Sequence, residues 1–223
     1  METRYRIDYP GEFVITRSVW SGGKKTEERE WIPNPIENQH ISGRAACIGT
    51  NTDRIGFNYT ILQRHRGGLL GSKKLQTYGT GVIAEEMRLD FAVENNSEQL
   101  TKLIEVGYPE NNVVYTSARN CIAYPGEFYL VPLNPPHLLT PIVPVYLACF
   151  DDHREIFLLG YTNDAYEQIG NDCWVNQLFE IIQAYSSNKF YIVGEQSNIP
   201  EKLFDLPNVA PMSHREFISY ADV

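Results

Sequence analysis

The chain has 223 residues, of which 43% are hydrophobic and 21% are charged. This composition is typical of a globular protein and excludes disordered, collagen-like and coiled-coil chains. The 19 Lys and Arg residues against 28 Asp and Glu residues give a net charge of -9. Proteins that coat nucleic acid non-specifically are normally basic, so any contact with nucleic acid must be local.

The sequence has no apolar run near the ~18 residues that a membrane span needs, and residues 1–8 lack the apolar segment of a secretion signal. We therefore expect a cytoplasmic protein with no membrane partner. The four cysteines are widely spaced beside apolar residues, without a C-x-x-C pair or a Cys/His cluster. They are expected to be buried free thiols, and no metal site is predicted.

The N-terminal region is predicted to be an appendage. Residues 12–20 and 28–32 are β-prone runs on either side of a Ser-Gly-Gly-Lys segment, which is typical of a β-hairpin. The Pro-Asn-Pro at 33–35 then interrupts regular structure. We therefore divide the chain into an N-terminal β-hairpin appendage, residues 1–44, and a Rossmann-like domain, residues 45–223.

The rest of the chain alternates between β-prone runs and helical patterns. The β-prone runs lie at 45–49, 74–78, 90–93, 112–115, 155–160 and 189–194. Helices are predicted at 97–106, with Asn96 as N-cap and Gly107 as the stop, and at 174–185, with Asp172 as N-cap. The alternation predicts an α/β fold, with a Rossmann-like, open, mostly parallel sheet flanked by helices. In such sheets ligands bind at the carboxyl ends of the strands.

Hydroxyl and amide side chains are dense just after the predicted strands, including Glu94-Asn95-Asn96 after the third. Such groups suit a sugar or nucleoside, whose hydroxyls need matched donors and acceptors. The alternative interpretation is ordinary turn and cap chemistry. The predicted nucleotide contacts are Gly49, Thr50, Asn51, Arg54, Tyr78, Gly79, Thr80, Thr116, Ser117 and Asn163.

Several common enzyme motifs are missing. The loop at 49–54 has only the first glycine of G-x-G-x-x-G, which disfavours a nicotinamide oxidoreductase. The Gly-rich segment at 67–74 precedes a strand rather than a helix, which disfavours a P-loop ATPase or kinase. No D-x-D pair follows a predicted strand, and no hydrolase triad is recognisable among the scattered histidines.

Asp164 is the predicted general base, because it follows the fifth strand by a few residues at the edge where ligands bind. The alternative is that Asn163 and Asp164 form only a turn. Residues 151–153, Asp-Asp-His, precede that strand and are expected at the opposite rim. If Asp164 does not act as the base, the role would pass to His153, His214 or Glu94.

Residues 55–84 contain no Asp or Glu, so this stretch is a local positive region on an acidic protein. The two interpretations, given equal weight, are a solvated loop and a contact with phosphate or polynucleotide. The candidate nucleic-acid contacts are Arg64, Arg66, Lys73 and Lys74.

Three short segments carry a resemblance to a known family. They are Ile48-Gly49-Thr50-Asn51 through Arg54, Gln76-Thr77-Tyr78-Gly79, and Ile156-Phe157-Leu158-Leu159-Gly160-Tyr161. Together they resemble small phage-encoded glycosyltransferase-like proteins with the patterns I-G-N-G-[PST]-S-R, Q-T-Y-G-[CS]-N and [IV]-[FY]-L-L-G-[FY]-D. That family is similar to bacterial sialyltransferases and motility-accessory glycosyltransferases. The resemblance covers residues 45–165.

The resemblance implies a nucleotide-sugar co-substrate, no separate cofactor, and sugar addition to hydroxymethylated cytosine in double-stranded phage DNA, including arabinosylation. It places the nucleotide loop at 49–54, a second nucleoside contact at 78–81, and tyrosines near the donor phosphate at Tyr161 and Tyr166. The chain departs from the family patterns at Asn51, Gly81 and Thr162, where the family has Gly, Asn and Asp.

The leading hypothesis is a metal-independent glycosyltransferase in the cytoplasm of an infected bacterium. Asp164 would deprotonate the acceptor, while Tyr161, Tyr166 and the basic stretch would offset charge on the departing diphosphate. The alternative is a non-catalytic nucleotide- or partner-binding module that acts during infection.

Overall fold

The structure is a computed structural model that describes residues 12–33, 43–51, 62, 75–133, 135, 137–163, 165 and 171–221. Its N-terminal part is a hairpin of two antiparallel strands, β1 (Glu12–Ser21) and β2 (Lys24–Pro33). The turn residues Gly22 and Gly23 have φ of 58° and 77°. Positive φ at both positions fits the right-handed twist of a hairpin and favours glycine. The predicted β-hairpin is therefore observed.

The remaining strands of the described residues form one eight-stranded sheet, and every neighbouring pair in it is parallel. This confirms the predicted α/β class and the Rossmann-like open sheet. The strands are β3 (Arg44–Ile48), β4 (Gln76–Thr80), β5 (Phe91–Val93), β6 (Val113–Thr116), β7 (Tyr129–Leu130), β8 (Glu155–Leu159), β9 (Lys189–Val193) and β10 (Val209–Met212).

The strand order, β10-β9-β8-β3-β4-β5-β6-β7, contains one reversal. From β3 the chain builds outward to β7 at one edge, and then returns to place β8 on the other side of β3. From β8 it builds outward to β10 at the opposite edge. The loops after β3 and β8 therefore diverge, and a crevice for ligands forms between them at the carboxyl edge of the sheet. We call this place the switch point.

Helices cover both faces of the sheet. They are α1 (Gly81–Glu86), α2 (Ser97–Glu105), α3 (Tyr108–Asn111), α4 (Ala118–Ala123), α5 (Val143–Phe150), α6 (Asn171–Ala184) and α7 (His214–Ala221), with 3-10 turns at Gln196–Asn198 and Glu201–Asp205. None of the helices in the described ranges has the length and apolarity to cross a bilayer.

Two apolar clusters form the core, one on each face of the sheet. Strand β3 shows the division, because Ala45 and Cys47 pack in one cluster and Ala46 and Ile48 in the other. This alternation is the two-residue period of a strand that is buried on both faces. Residues 143–149 of α5 are all buried, and all of them except Pro144 belong to the first cluster.

Helix α2 confirms its predicted cap and stop. The Asn96 side chain accepts hydrogen bonds from the backbone N–H groups of Glu98 and Gln99, at 2.9 and 3.3 Å. Gly107, with φ of 66°, ends the helix. The predicted cap of α6 is wrong: the helix begins at Asn171, so Asp172 lies inside it. The apolar pattern that begins at Trp174 shows where the helix starts to pack against the core. The helix itself begins three residues earlier, so the pattern placed its start too late.

All six predicted strands are present, although the one expected at 74–78 is observed at Gln76–Thr80. Its first residues, Gln76 and Thr77, are polar but buried. Thr77 is held through its N–H and its hydroxyl, both of which donate to Asp90 Oδ2 at 2.8 and 2.9 Å. Cys47, Cys121 and Cys149 are buried free thiols as expected, whereas Cys173 is exposed and corrects that expectation.

Tyr78 lies at the centre of a buried polar network. Its hydroxyl donates to Asp151 Oδ2 at 2.8 Å and lies 2.9 Å from His153 Nε2. His153 Nε2 is also 2.9 Å from Gln76 Oε1, and all four side chains are at most 5% exposed. Burial and the Asp151 carboxylate raise the pKa of Tyr78 well above its ordinary value. The hydroxyl therefore stays protonated and serves as a donor in the core.

Replacing Tyr78 with Phe should lower the free energy of unfolding by ~1–3 kcal/mol, because it removes a hydrogen-bond donor from a buried carboxylate. Urea denaturation of the two proteins measures the difference. Tyr124→Phe is the matched control, since the Tyr124 hydroxyl meets the exposed Thr101 at 3.1 Å. That control should cost at most about 0.5 kcal/mol. Equal losses from the two substitutions would contradict a stabilising role for the network.

Candidate functional site

A cavity of about 390 Å³ opens at the carboxyl edge of the sheet. Its position is set by three consecutive strands: Thr50 follows β3, Thr80 ends β4 and Glu94 follows β5. The volume lies in the range of small-molecule sites. The other lining residues are Val82, Asn96, Glu98, Gln99, Lys102, Thr140 and Pro141. The cavity lies on the β3 to β5 side of the switch point.

Glu94 places a carboxylate in this cavity while exposing only 5% of its surface. Its Oε1 accepts hydrogen bonds from the backbone N–H groups of Asn95 and Asn96, both at 2.8 Å. The carboxylate also accepts from the N–H of Gly81 at the start of α1. Burial raises the pKa of Glu94 above its ordinary value, and these three backbone bonds offset part of that effect.

Gly81 provides the space for this carboxylate. A Cβ atom on Gly81 would lie 2.6 Å from Glu94 Oε2 and 3.0 Å from Glu94 Cγ. It would also lie 3.1 Å from Cγ of Gln99, whose side-chain amide donates to Glu85 Oε1 at 2.6 Å. The family patterns carry Asn at position 81. Glycine at this position and Glu94 are therefore linked features of this chain.

The Thr80 hydroxyl is buried, and it has no hydrogen-bond partner within the described part of the chain. The residue is 5% exposed and lines the cavity. Thr80 pairs with Val93 in the sheet, so it is the cross-strand neighbour of the residue just before Glu94. Buried hydroxyl groups normally have a hydrogen-bond partner. The Thr80 hydroxyl has none among the described residues, and its residue lies in the wall of a cavity.

The wall of the cavity opposite α1 is held by side chains from several elements. Asn95 donates to the hydroxyl of Thr140 at 3.2 Å, and Tyr161 donates to the carbonyl of Pro141 at 2.9 Å. Gln177 of α6 bonds two more backbone groups of the same segment. The wall is thus fixed by the strands and by α6. Tyr161, predicted as a donor-phosphate contact, is buried and uses its hydroxyl to hold this wall.

The loop after β3 is joined to the end of β8 across the switch point. The N–H of Gly49 donates to the carbonyl of Leu159 at 2.7 Å, and the N–H of Asn51 to that of Gly160 at 3.4 Å. The Thr50 hydroxyl lies 3.3 Å from the carbonyl of Ala165 and donates to it. Two N–H groups of the predicted nucleotide loop are therefore engaged within the protein rather than directed to a phosphate.

Four more predicted contacts lie away from the cavity wall. Tyr78 is turned into the core network, and Gly79 is a packing position where a Cβ would lie 2.9 Å from Leu89 Cδ1. Thr116 and the N–H of Ser117 both bond to Oδ1 of Asn95, at 3.4 and 3.0 Å. Since Asn95 in turn holds Thr140, these two residues support the cavity wall from behind.

Asn163 lines a second cavity, of about 420 Å³, on the β8 and β9 side of the switch point. The N–H of Asn163 donates to the carbonyl of Asn198 at 2.7 Å, which ties the loops after β8 and β9 together. Asn176, Ser197 and Lys202 also line this cavity, and the ammonium group of Lys202 donates to the Asn176 amide oxygen. Two polar cavities thus flank the switch point.

The other predicted site residues lie outside the described residues. They are Arg54, Arg64, Arg66, Lys73, Lys74, Asp164 and Tyr166. Within the described ranges, no group of three or more His, Cys, Asp or Glu side chains is arranged to hold a metal ion.

Sequence reasoning missed most of the cavity lining. Glu94 and Asn96 follow a predicted strand closely, so their position carried a signal, although Glu94 was named only as an alternative base and Asn96 only as a helix cap. Gln99 faces the cavity from the first turn of α2. Thr140 and Pro141 come from a connection without a strand or helix pattern of its own, and no sequence signal identifies them.

No protein-family model, curated protein or solved structure matches this chain. The resemblance in the three short motifs therefore stays a prediction. The case for a function has to be made from the geometry of the cavity.

Gly81→Ala should destabilise the protein by ~1–3 kcal/mol, because the added methyl group meets the Glu94 carboxylate. The direction of the change in stability separates the two effects, because helix propensity alone favours alanine over glycine by up to ~1 kcal/mol and would stabilise the variant. Chemical denaturation measures the change. Gly43→Ala is the control, because a Cβ there meets nothing within 4 Å. A Gly81→Ala protein as stable as the wild type would show that the carboxylate is not held in this position.

Proposed function

We propose that the protein is a metal-independent glycosyltransferase that moves a sugar from a nucleotide-sugar donor to an acceptor hydroxyl. The observation that carries the proposal is the cavity beside the switch point, because ligands of open parallel sheets bind at that place. The lining combines hydroxyl, amide and carboxylate groups with apolar surface from Val82 and Pro141. Sugar rings bind to both kinds of surface, because the hydroxyl groups at their edge form hydrogen bonds and the C–H groups on their faces pack against apolar side chains.

A second cavity across the switch point supports a two-substrate reaction. The cavity at Thr80 and Glu94 would take part of the donor, and the cavity at Asn163 would take the other substrate or the rest of the donor. The loop after β3, which lines the first cavity through Thr50, is bonded to the end of β8, whose following loop lines the second through Asn163. This arrangement would bring two ligands together at the junction where the transferred group has to pass.

The base in this proposal is Asp164, as expected from the sequence. Its chain neighbours support the assignment: Asn163 lines the second cavity, and the carbonyl of Ala165 accepts the Thr50 hydroxyl beside the first. Asp164 would take the proton of the acceptor hydroxyl as its oxygen attacks the anomeric carbon and the bond to the diphosphate breaks. Tyr166 and the basic stretch would offset charge on the leaving diphosphate.

The acceptor in this proposal is hydroxymethylcytosine in double-stranded DNA, as the resemblance implies. A protein with a net charge of -9 repels DNA over most of its surface. The phosphate contacts would therefore come from the acid-free stretch, through Arg64, Arg66, Lys73 and Lys74. The target base would have to leave the helix stack to reach a cavity at the sheet edge.

Nucleoside diphosphates and nucleotide-sugars should raise the thermal stability of the protein, because a ligand that binds only the native state stabilises it by ~2.7 kcal/mol at a hundredfold excess over Kd. Differential scanning fluorimetry across the common nucleotides measures this shift. Val82→Trp should block the cavity and abolish the shift. Val106→Trp is the control, because Val106 is an exposed valine that does not line the cavity. If no nucleotide shifts the wild-type protein, the donor site is refuted.

Asp164→Asn should lower kcat by ~10²–10⁴ while leaving donor binding unchanged, because the amide keeps the size of the side chain but takes no proton. The assay supplies nucleotide-sugars and duplex DNA with or without hydroxymethylcytosine, and mass spectrometry detects modified nucleosides. Asp152→Asn is the control, since Asp152 is an exposed acid in the turn before β8. Donor binding without transfer to any DNA or small hydroxyl acceptor would support the binding-module alternative instead.

A further inference from the structure

Two side chains in the wall of the first cavity have hydrogen-bonding capacity that the described residues do not use. The Thr80 hydroxyl is buried without a partner in the described structure, and a hydroxyl both donates and accepts. Each oxygen of the Glu94 carboxylate can accept more than one hydrogen bond. The backbone bonds from Asn95, Asn96 and Gly81 fix the carboxylate without using all of that capacity.

The charge around these groups favours a neutral partner. Among the residues that the structure describes, the cavity is lined by two acids, Glu94 and Glu98, and one cation, Lys102. A diphosphate placed against Glu94 would meet a like charge in a poorly solvated place, which is unfavourable. Hydroxyl groups on a sugar ring meet no such penalty, because they donate hydrogen bonds to a carboxylate.

The apolar surface of the cavity fits the same ligand. Val82 stands at the start of α1 and is 45% exposed, and Pro141 lies in the wall fixed by Tyr161. Both residues line the cavity together with Thr80 and Glu94. A flat ring could therefore place its C–H groups against apolar side chains while its hydroxyl groups reach the carboxylate.

We infer that Thr80 and Glu94 recognise a vicinal diol on a neutral sugar ring. The inference rests on the proposed function and deepens it, since it assigns the sugar-ring part of a nucleotide or nucleotide-sugar to this cavity. The diphosphate would then lie toward the switch point, away from Glu94. The diol could belong to the ribose or to the transferred sugar, which share the same chemistry.

Isothermal titration calorimetry with matched ligand pairs tests the inference. Ribonucleoside diphosphates are compared with their 2′-deoxy counterparts, which lack the diol of the ribose. Nucleotide-sugars are compared with the corresponding nucleoside diphosphates, which lack the transferred sugar. The wild-type protein should bind the diol-bearing member of one pair with an affinity about 10- to 100-fold higher, because hydrogen bonds to a charged group usually contribute that much to affinity. The pair that shows the preference identifies the source of the diol.

Glu94→Gln should remove most of this preference. Glu105→Gln is the matched control, because Glu105 is an exposed acid on α2 that does not line the cavity, and its loss should leave the preference unchanged. Thr80→Val gives a second test that does not depend on the fold of the Glu94 variant. This substitution should lower the affinity for the diol-bearing ligand by about 3- to 10-fold. The melting temperature should stay the same or rise, because no hydrogen bond within the protein is lost.

Ligand-observed NMR with free ribose, arabinose and glucose adds a probe without phosphate. A diol preference that depends on Glu94, in a protein that transfers no sugar, would uphold this inference and refute the transferase. Sugar transfer in which neither ligand pair depends on Glu94 or Thr80 would refute the inference and leave the transferase standing. Failure of every nucleotide and every free sugar to bind would refute both.

Discussion

The pairing of β3 with β8 on one side and β4 on the other is the constraint on which the site depends. Because all three strands are parallel, their carboxyl ends meet at one edge, and the direction in which successive strands are added to the sheet reverses between β3 and β8. The bonds from Gly49 to Leu159 and from Asn51 to Gly160 then fix the first residues of the two diverging loops. Both polar cavities owe their positions to this junction, one on each side of it.

Buried polar groups in the core and at the cavity differ in the hydrogen bonds that they form. In the core, Tyr78, Gln76, Asp151 and His153 bond one another, and these bonds offset much of the cost of burying their polar groups. At the cavity, the Thr80 hydroxyl is equally buried and lacks such a partner among the described residues. A fold that keeps an uncompensated group gives up stability at that place. The buried Thr162 hydroxyl also has no partner among the described residues, but only that of Thr80 belongs to a residue that lines a cavity, and this position is the reason for assigning a ligand there.

The sequence predicted the parts of the fold that depend on local pattern. Continuous apolar runs identified the strands, and the Asn96 cap with the Gly107 stop defined α2. Helix α5 was missed because residues 143–149 are buried on every side, and an apolar run without a polar face has no helical period to recognise. Strands β7 and β10 were missed because they have two and four residues and lie at the edges of the sheet.

The site was less predictable than the fold, because the residues that reach the cavity depend on where each strand ends. Tyr78 and Thr80 lie two residues apart on one strand, yet the hydroxyl of Tyr78 joins the core network and Thr80 lines the cavity. The strand ends at Thr80, so only its last residue reaches the carboxyl edge. The link between Gly81 and Glu94 is a contact between segments 13 residues apart, and no local pattern encodes it.

The support behind the cavity wall explains how this protein could bind a ligand with little rearrangement. Thr116 and Ser117 hold Asn95, Asn95 holds Thr140, and Tyr161 holds Pro141. The wall is therefore positioned by the ends of β5, β6 and β8 before any ligand arrives. Binding to a preformed site avoids the cost of ordering side chains, so more of the hydrogen-bond energy is available for discrimination between ligands. Residues that do not touch the cavity thus contribute to its selectivity through the geometry that they maintain.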